Sequence, residues 1–467
     1  MKKFWRSNPV VFGLVLLSAG AIAQHKNEFS IKQCVDYANK NSVTVKNALL
    51  DVQIQNETNR QFTSVALPQI NGSIGTTHYF DIPVTTLPDF ISPSTYKVLV
   101  DEGVKNGAGQ TITFPTGGFG SVPAKFGTAW NASAGIDISQ LIFDGQVFVG
   151  LKARDALLDF YRKAADVTQE QIKANIYKIY YQLVVGKKQE GSLDANIDRF
   201  EKLLNDTKEI YKNGFAEKLD MDKVTVQLNN LKTEKEKVEK SLAVGNSGLK
   251  FLLGMPQQEE LILIDTLSEA GLKENILEEG YNYSDRKEMQ LLGIAQKLGE
   301  FNIKRYQLGK IPTIAAFGSY SKNAQRNTFS FFDTYQDWFT TSIVGLKMAI
   351  PIFSGNSRNA HIQQSKYELQ KTNNNIEQLK QSIDYDVAQS KIKMTSALLT
   401  VDNQKRNTEL AEKVYNTTKK KYEQGLGNNQ EIYNAQTELK VAQNNYYSSL
   451  YEAINAKIDW LKAAGKL

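Results

Sequence analysis

The sequence predicts a mainly α-helical chain with a smaller set of membrane-type β-strands, built as two internal repeats. Three observations carry that reading. The ten prolines leave residues 124–255 and 352–467 free of proline, so each half has room for long helices. Four short stretches alternate apolar and polar residues with the period of two that a strand requires. Short motifs at the ends of these elements recur at offsets of 210 and 211 residues.

The chain opens with Lys2, Lys3 and Arg6, an apolar run from Val10 to Leu17 and the small-residue site Ala21-Ile22-Ala23. These are the parts of a cleavable export signal, so residues 1–23 are expected to be removed and Gln24 to begin the mature chain. The run is far shorter than the roughly 20 residues a transmembrane helix needs. Loss of those three basic residues lowers the net charge from +6 to +3, too weak for a nucleic-acid footprint. Cys34 is the only cysteine, which excludes an internal disulfide and a multi-cysteine metal site. It reads as a small buried residue, and no lipobox precedes it. No later stretch is apolar for long enough to cross a bilayer as a helix, and the mean hydropathy is −0.40. Any passage through a membrane therefore falls to strands, whose alternation keeps hydropathy low.

In the first repeat, residues 24–254, strands are expected at about 68–80 and 126–142 and long helices at about 146–212 and 218–254. The clearest strand puts Phe126, Thr128, Trp130, Ala132, Ala134, Ile136 and Ile138 on one face, opposite Gly127, Ala129, Asn131, Ser133, Gly135, Asp137 and Ser139. In Pro68–Tyr79 the split is weaker, with Ile70 and Ile74 opposing Gln69, Asn71, Ser73 and Thr77. The helix after it repeats Ile172, Ile176, Ile179 and Leu183 at steps of 4, 3 and 4 and, after a break, Leu193, Ile197, Phe200 and Leu204 at the same steps. At 1.5 Å per residue it would extend about 100 Å. An elongated molecule that self-associates to bury the flanks of such helices is expected.

Residues 255–284 join the repeats. The second, residues 285–467, has expected strands at about 312–321 and 338–351 and helices at about 356–423 and 429–463. Its last helix is polar except for a narrow stripe, Ile432, Ala435, Leu439, Ala442, Tyr446, Leu450 and Ala453, which suits coiled-coil-like packing. Each strand pair flanks a loop rich in glycine, proline and aromatics, Asp81–Lys125 and Ser321–Asp337. Such loops suit the outer side of a membrane barrel, with Trp130 and Trp338 as candidates for an aromatic girdle. The rival reading of any one strand is a half-buried sheet in a soluble protein.

Ile142-Phe143-Asp144-Gly145 recurs as Ile352-Phe353-Ser354-Gly355, and Tyr211-Lys212-Asn213-Gly214 as Tyr422-Glu423-Gln424-Gly425. Leu67-Pro68-Gln69-Ile70 parallels Ile311-Pro312-Thr313-Ile314. With Leu252-Leu253-Gly254-Met255-Pro256 closing the first half and Arg286 opening the second, the order and spacing resemble the TolC-like outer membrane efflux protein family over essentially the whole mature chain. The resemblance implies a homotrimer in which each protomer gives four strands to one 12-stranded β-barrel, continued by an antiparallel coiled-coil tunnel. It implies a site in the cell outer membrane, in contact with its lipid and extending into the periplasm. The expected function is a passive exit duct for a tripartite efflux or type I secretion system, fed by an inner-membrane transporter and a periplasmic adaptor. Residue counting agrees in part, because about eight strands are needed merely to enclose side chains and a single copy supplies too few.

The family narrows its tunnel with acids six and nine positions after the glycine of the second turn. Counted from Gly425, these positions hold Glu431 and Asn434, so one acid is kept and one is an amide. Counted from Gly214, the six-residue step gives Asp220. A threefold ring of such carboxylates would attract cations, and its members would raise each other's pKa. The plainer alternative is that an acid near a helix start complements the dipole, and for nearby Asp222 that alternative is preferred. Gly214-Phe215 and Gly425-Leu426 occupy the turns where the family docks its adaptor, although a glycine there also ends a helix in the ordinary way.

Catalysis finds little support. His25, His78 and His361 are scattered, and neither a nucleophile elbow, an HExxH string nor a P-loop occurs, so neither enzyme activity nor a cofactor or metal is expected. The alternative function, a secreted coiled-coil filament or adhesin, leaves the duplicated strand pairs unexplained.

Overall fold

The computed structural model describes residues 26–266, 272 and 280–467. The expected export signal and part of the 255–284 connection lie outside them. In chain order the elements are β1 (Lys26–Phe29), α1 (Ile31–Asn41), α2 (Val43–Ser64), β2 (Gln69–His78), β3 (Val84–Pro88), α3 (Ile91–Asp101), β4 (Ser121–Lys125) and β5 (Trp130–Phe143). Then follow α4 (Gly145–Lys212), α5 (Lys218–Leu253), β6 (Glu260–Leu263), α6 (Lys287–Leu308), β7 (Thr313–Arg326), β8 (Phe339–Ala349), α7 (Ser357–Glu423) and α8 (Asn429–Ala463). They form two compact units. One takes in residues up to Gln55 with Leu157–Gln296 and Gln370–Leu467, and the other Asn56–Ala156 with Lys297–Leu369.

The unit of residues 56–156 and 297–369 holds an antiparallel sheet in the order β2-β5-β7-β8. Because side chains alternate along every strand, the register decides which residues share a face. Ile70, Ile138, Gly318 and Val344 lie in one row, and Gly72, Ile136, Tyr320 and Ser342 in the next, all on one face. Asn71, Asp137, Ser319 and Ile343, with Ser73, Gly135, Ser321 and Thr341, form rows on the other. Both edge strands are exposed along nearly their whole length.

The strand ends differ from expectation in two places. Phe126–Ala129 stay outside the sheet because the backbone bends at Gly127, whose φ is +132°, and β5 starts at Trp130. β7 runs on to Arg326 and stays paired with β5, although Ser321–Arg326 carries no apolar alternation to announce it. The Asp81–Lys125 stretch also contains more than loop: β3 pairs with β4, and α3 lies between them.

The other unit is a set of long helices with three buried apolar clusters. The first joins Cys34 and Ala38 of α1, Ile172, Ile176, Tyr180 and Leu183 of α4, Leu249 and Leu253 of α5, and Leu261 of β6. There β1 and β6 pair in parallel, and the Tyr180 hydroxyl donates to Phe29 O at 3.0 Å while accepting from Asp265 N–H at 3.1 Å. Gly254 ends α5 with φ +71°, and a Cβ on it would meet Asn41 O at 2.4 Å, so the close approach of these two helix ends requires glycine.

A second cluster joins Leu193, Ile197, Phe200 and Leu203 to Val224, Leu228 and Leu231 of α5 and to Ile432, Ala435 and Leu439 of α8. Leu203, rather than Leu204, is fully buried there. The third joins Ala174 and Val185 to Val401 of α7 and Leu450, Ala453, Ile454 and Ile458 of α8. Where the α4 stripe resumes at Leu193, polar groups pack beside it. Ser192 Oγ and Asn196 Nδ2 donate to Gln443 Oε1 at 3.0 and 2.8 Å, while Glu234 accepts from Asn444 Nδ2 at 2.8 Å and pairs with Lys440 at 2.5 Å.

Candidate channel-forming site

Both helix-to-helix turns have the same construction. Gly214 N–H donates to Tyr211 O at 2.9 Å and Phe215 N–H to Ile210 O at 3.0 Å; Gly425 N–H donates to Tyr422 O and Leu426 N–H to Lys421 O, both at 2.9 Å. This crossed pair satisfies the last carbonyls of α4 and α7 and requires a left-handed residue, supplied by Gly214 at φ +79° and Gly425 at φ +74°. Open space surrounds both glycines, and the following side chains project into solvent, Phe215 at 86 % exposure and Leu426 at 77 %.

Asp220 and Glu431 take the same place, the third position of the helix that follows each turn. Asp220 is engaged in a capping box, its Oδ2 accepting from Glu217 N–H at 3.2 Å. At the second turn Asn428 caps α8, accepting from Glu431 N–H at 2.8 Å, and the Glu431 side chain is exposed. Asn434 is exposed as well and accepts from Gln430 Nε2 at 2.8 Å. Lys223 Nζ to Gln430 Oε1 at 3.4 Å and Gln227 Nε2 to Tyr433 Oη at 2.6 Å tie α5 to α8 just behind the turns. Burial pushes the Tyr422 hydroxyl above its usual pKa; a Thr207 hydrogen bond opposes this, and the charges of Asp206 and Asp220 add to it.

At one end of the sheet the aromatic residues are continuous. His78 packs at a tilt of 34° against Trp130 with ring centroids 4.2 Å apart, Trp130 meets Phe329 at 5.0 Å, Phe329 meets Phe331 at 5.4 Å, and Phe331 reaches Trp338 at 6.2 Å. The two tryptophans anticipated as a girdle are joined by phenylalanines that the alternation could not single out. Asn428, three residues before Glu431, carries the residue pattern of a helix start, whereas Glu217 is an uncommon residue for that role.

Among the described residues no group of His, Cys, Asp and Glu is placed to hold a metal ion, and no helix is long and apolar enough to cross a membrane. Residues 289–466 match the family described as outer membrane efflux protein. No curated protein matches the chain by sequence. Its fold is similar to that of solved structures over nearly the whole length. One is CusC, a protein whose structures report transmembrane channel formation, with a TM-score of 0.73 at 16 % identity over 95 % of each chain. Another is the CmeC outer membrane channel of Campylobacter jejuni, 0.71 at 14 % identity over 93 % of this chain and 85 % of that one. The MtrE outer membrane channel of Neisseria gonorrhoeae gives 0.67 at 13 % identity, covering 93 % and 88 %.

Proposed function

From the match of residues 289–466 to the family described as outer membrane efflux protein and the similarity in fold to solved outer membrane channels, we propose that the chain is the outer-membrane exit duct of a tripartite efflux or type I secretion system. Three copies close one barrel of twelve strands, and their long helices form a tunnel through the periplasm. Substrates handed over by an inner-membrane transporter and its periplasmic adaptor pass through without chemical change. The adaptor meets the turns at Gly214-Phe215 and Gly425-Leu426. Asp220, Glu431 and Asn434 line the narrow periplasmic end, where Glu431 from each copy contributes to a ring of negative charge.

The observation that carries this reading is the β2-β5-β7-β8 sheet, with apolar rows on one face, polar rows on the other and an open edge on each side. An apolar face bearing Ile74 at 91 % and Val344 at 88 % exposure is a liability in water and an asset against lipid. Long unpaired edges are satisfied only by further strands, and a membrane permits no open edge. A secreted filament has no use for either property.

Purified protein added to a planar lipid bilayer is the test. Discrete, long-lived conductance steps with a cation preference are expected. Preparations that bind lipid yet never conduct would count against the duct.

A further inference from the structure

The apolar face of the β2-β5-β7-β8 sheet changes along its length. Its rows run from Ile314 and Met348, at the end where α4 and α6 join the strands, to His78, Trp130 and Arg326, at the end where the loops lie. No Asp or Glu falls on this face in any of the four strands. Its only lysine and arginine are Lys322 and Arg326, both on β7 and both towards the loop end.

Depth decides what such charges can meet. Lys322 stands eight residues beyond Ile314 and Arg326 twelve. At about 3.4 Å per residue and a tilt of about 40°, they lie roughly 20 and 30 Å above the Ile314–Met348 row, against an apolar band about 25 Å tall. The two cations therefore bracket the outer boundary of that band, at the level that also suits Trp130. A cation in mid-bilayer is costly, whereas one at this depth rests its methylenes on the apolar surface and extends its charge into the headgroup layer. Lys322 is exposed, and its neighbours in the same row, Ala134 and Thr340, are small.

The protein neutralises neither charge. Among the described residues no carboxylate lies within 4.0 Å of Lys322 or Arg326. Arg326 is held by carbonyls, Nη2 donating to Asp337 O at 2.7 Å and Nη1 to Gln325 O at 3.1 Å, while its Nε is buried without a partner. Carbonyls orient a guanidinium and leave its full charge for an anion. We propose that Lys322 and Arg326 form a site for a phosphate-bearing lipid of the outer leaflet. Their Cα atoms are four residues apart, about 13 Å, so two long side chains can converge on one phosphorylated headgroup. The acyl chains then lie along Ile136, Tyr320 and Val344, on the same face nearer the helices.

This site rests on the proposed placement in the outer membrane, and its test separates the two. Detergent-solubilised parent, the double variant Lys322→Gln with Arg326→Gln, the conservative Lys322→Arg and, as a control on the polar face, Lys347→Gln are each titrated with dioleoyl phosphatidic acid and with dioleoyl phosphatidylcholine. Native mass spectrometry counts the lipid retained. The parent should retain phosphatidic acid about tenfold better than phosphatidylcholine, whose choline offsets its phosphate. The double variant should lose that preference, while Lys322→Arg and Lys347→Gln should keep it. Millimolar inorganic phosphate should leave the retained lipid in place; displacement by it would mark a site for the free anion and overturn the lipid. An undiminished preference in the double variant overturns the assignment to Lys322 and Arg326. Equal retention of both lipids by the parent overturns the headgroup site and leaves the membrane placement standing. A chain that retains neither lipid and stays soluble without detergent overturns both.

Discussion

Arg286 is buried, yet all its observed partners lie nearby: Nη1 donates to Ala463 O at 3.2 Å, and Nε and Nη2 to Glu288 at 3.2 and 3.3 Å. The guanidinium thus sits at the C-terminal end of α8, where the dipole favours a cation. Arg286→Met leaves the half-buried Glu288 uncompensated and is expected to cost about 3 kcal/mol, read as a lower thermal transition by circular dichroism. Glu288→Gln should cost less. Burial, the largest single influence, would raise the Glu288 carboxyl, but the Arg286 hydrogen bonds, its own backbone N–H and the charges of Arg286 and Lys462 together hold the pKa below the usual value. The stabilisation is therefore fully present above the ordinary glutamate pKa and is lost as pH falls through the lower folded value. The cost of Arg286→Met should therefore be largest at neutral pH and shrink as pH falls and the uncompensated Glu288 is protonated. At Cys34, burial and then the charge of Asp265 push the thiol up to about 12, so it should resist maleimide at neutral pH until the chain unfolds.

The proposed gate is tested at the same scale. Asp220 already has a local task in its capping box, so Asp220→Asn tests stability and field together. Glu431→Gln is the cleaner change, because the cap of α8 belongs to Asn428. In bilayers it should lower cation over anion selectivity and weaken block by multivalent cations, since both would depend on the field of the proposed ring in a narrow space. Reversal potentials in asymmetric salt equal to those of the parent would reduce Glu431 to a helix-start residue.

Among the elements, the turns were the most legible and the polar layer the least. A glycine after a long apolar stripe announces a left-handed cap, so Gly214 and Gly425 could be read directly. The partners of Ser192, Asn196 and Glu234 could not, because Gln443 and Asn444 lie about 200 or more residues away along the chain and polar contacts leave no periodic trace. The four strands of the sheet followed from alternation where a face is apolar. β7 beyond Tyr320 escaped notice because its pairing with β5 is made by backbone. At the turns, Gly425→Trp forces a side chain into φ +74° at a cost of roughly 1–2 kcal/mol. That is too little to unfold helices of this length, so trimers should persist while export and adaptor pull-down are lost. Retained adaptor binding in a variant altered at both Gly214 and Gly425 would remove the tips from the docking surface.

For the whole molecule, what the sequence could not contain is a partner for the open edges of the sheet at β2 and β8. A four-stranded sheet with two open edges and apolar exposure on one face is physically incomplete, and in the proposed assembly its missing contacts belong to other copies. The expectation of a repeat came from Ile142-Phe143-Asp144-Gly145 and its second appearance. Closure by three copies is the central claim, and the mass of the intact assembly tests it most directly. Protein extracted from outer membranes in mild detergent should give, by native mass spectrometry, one species of three mature chains. A monomer that stays soluble once detergent is removed would contradict it.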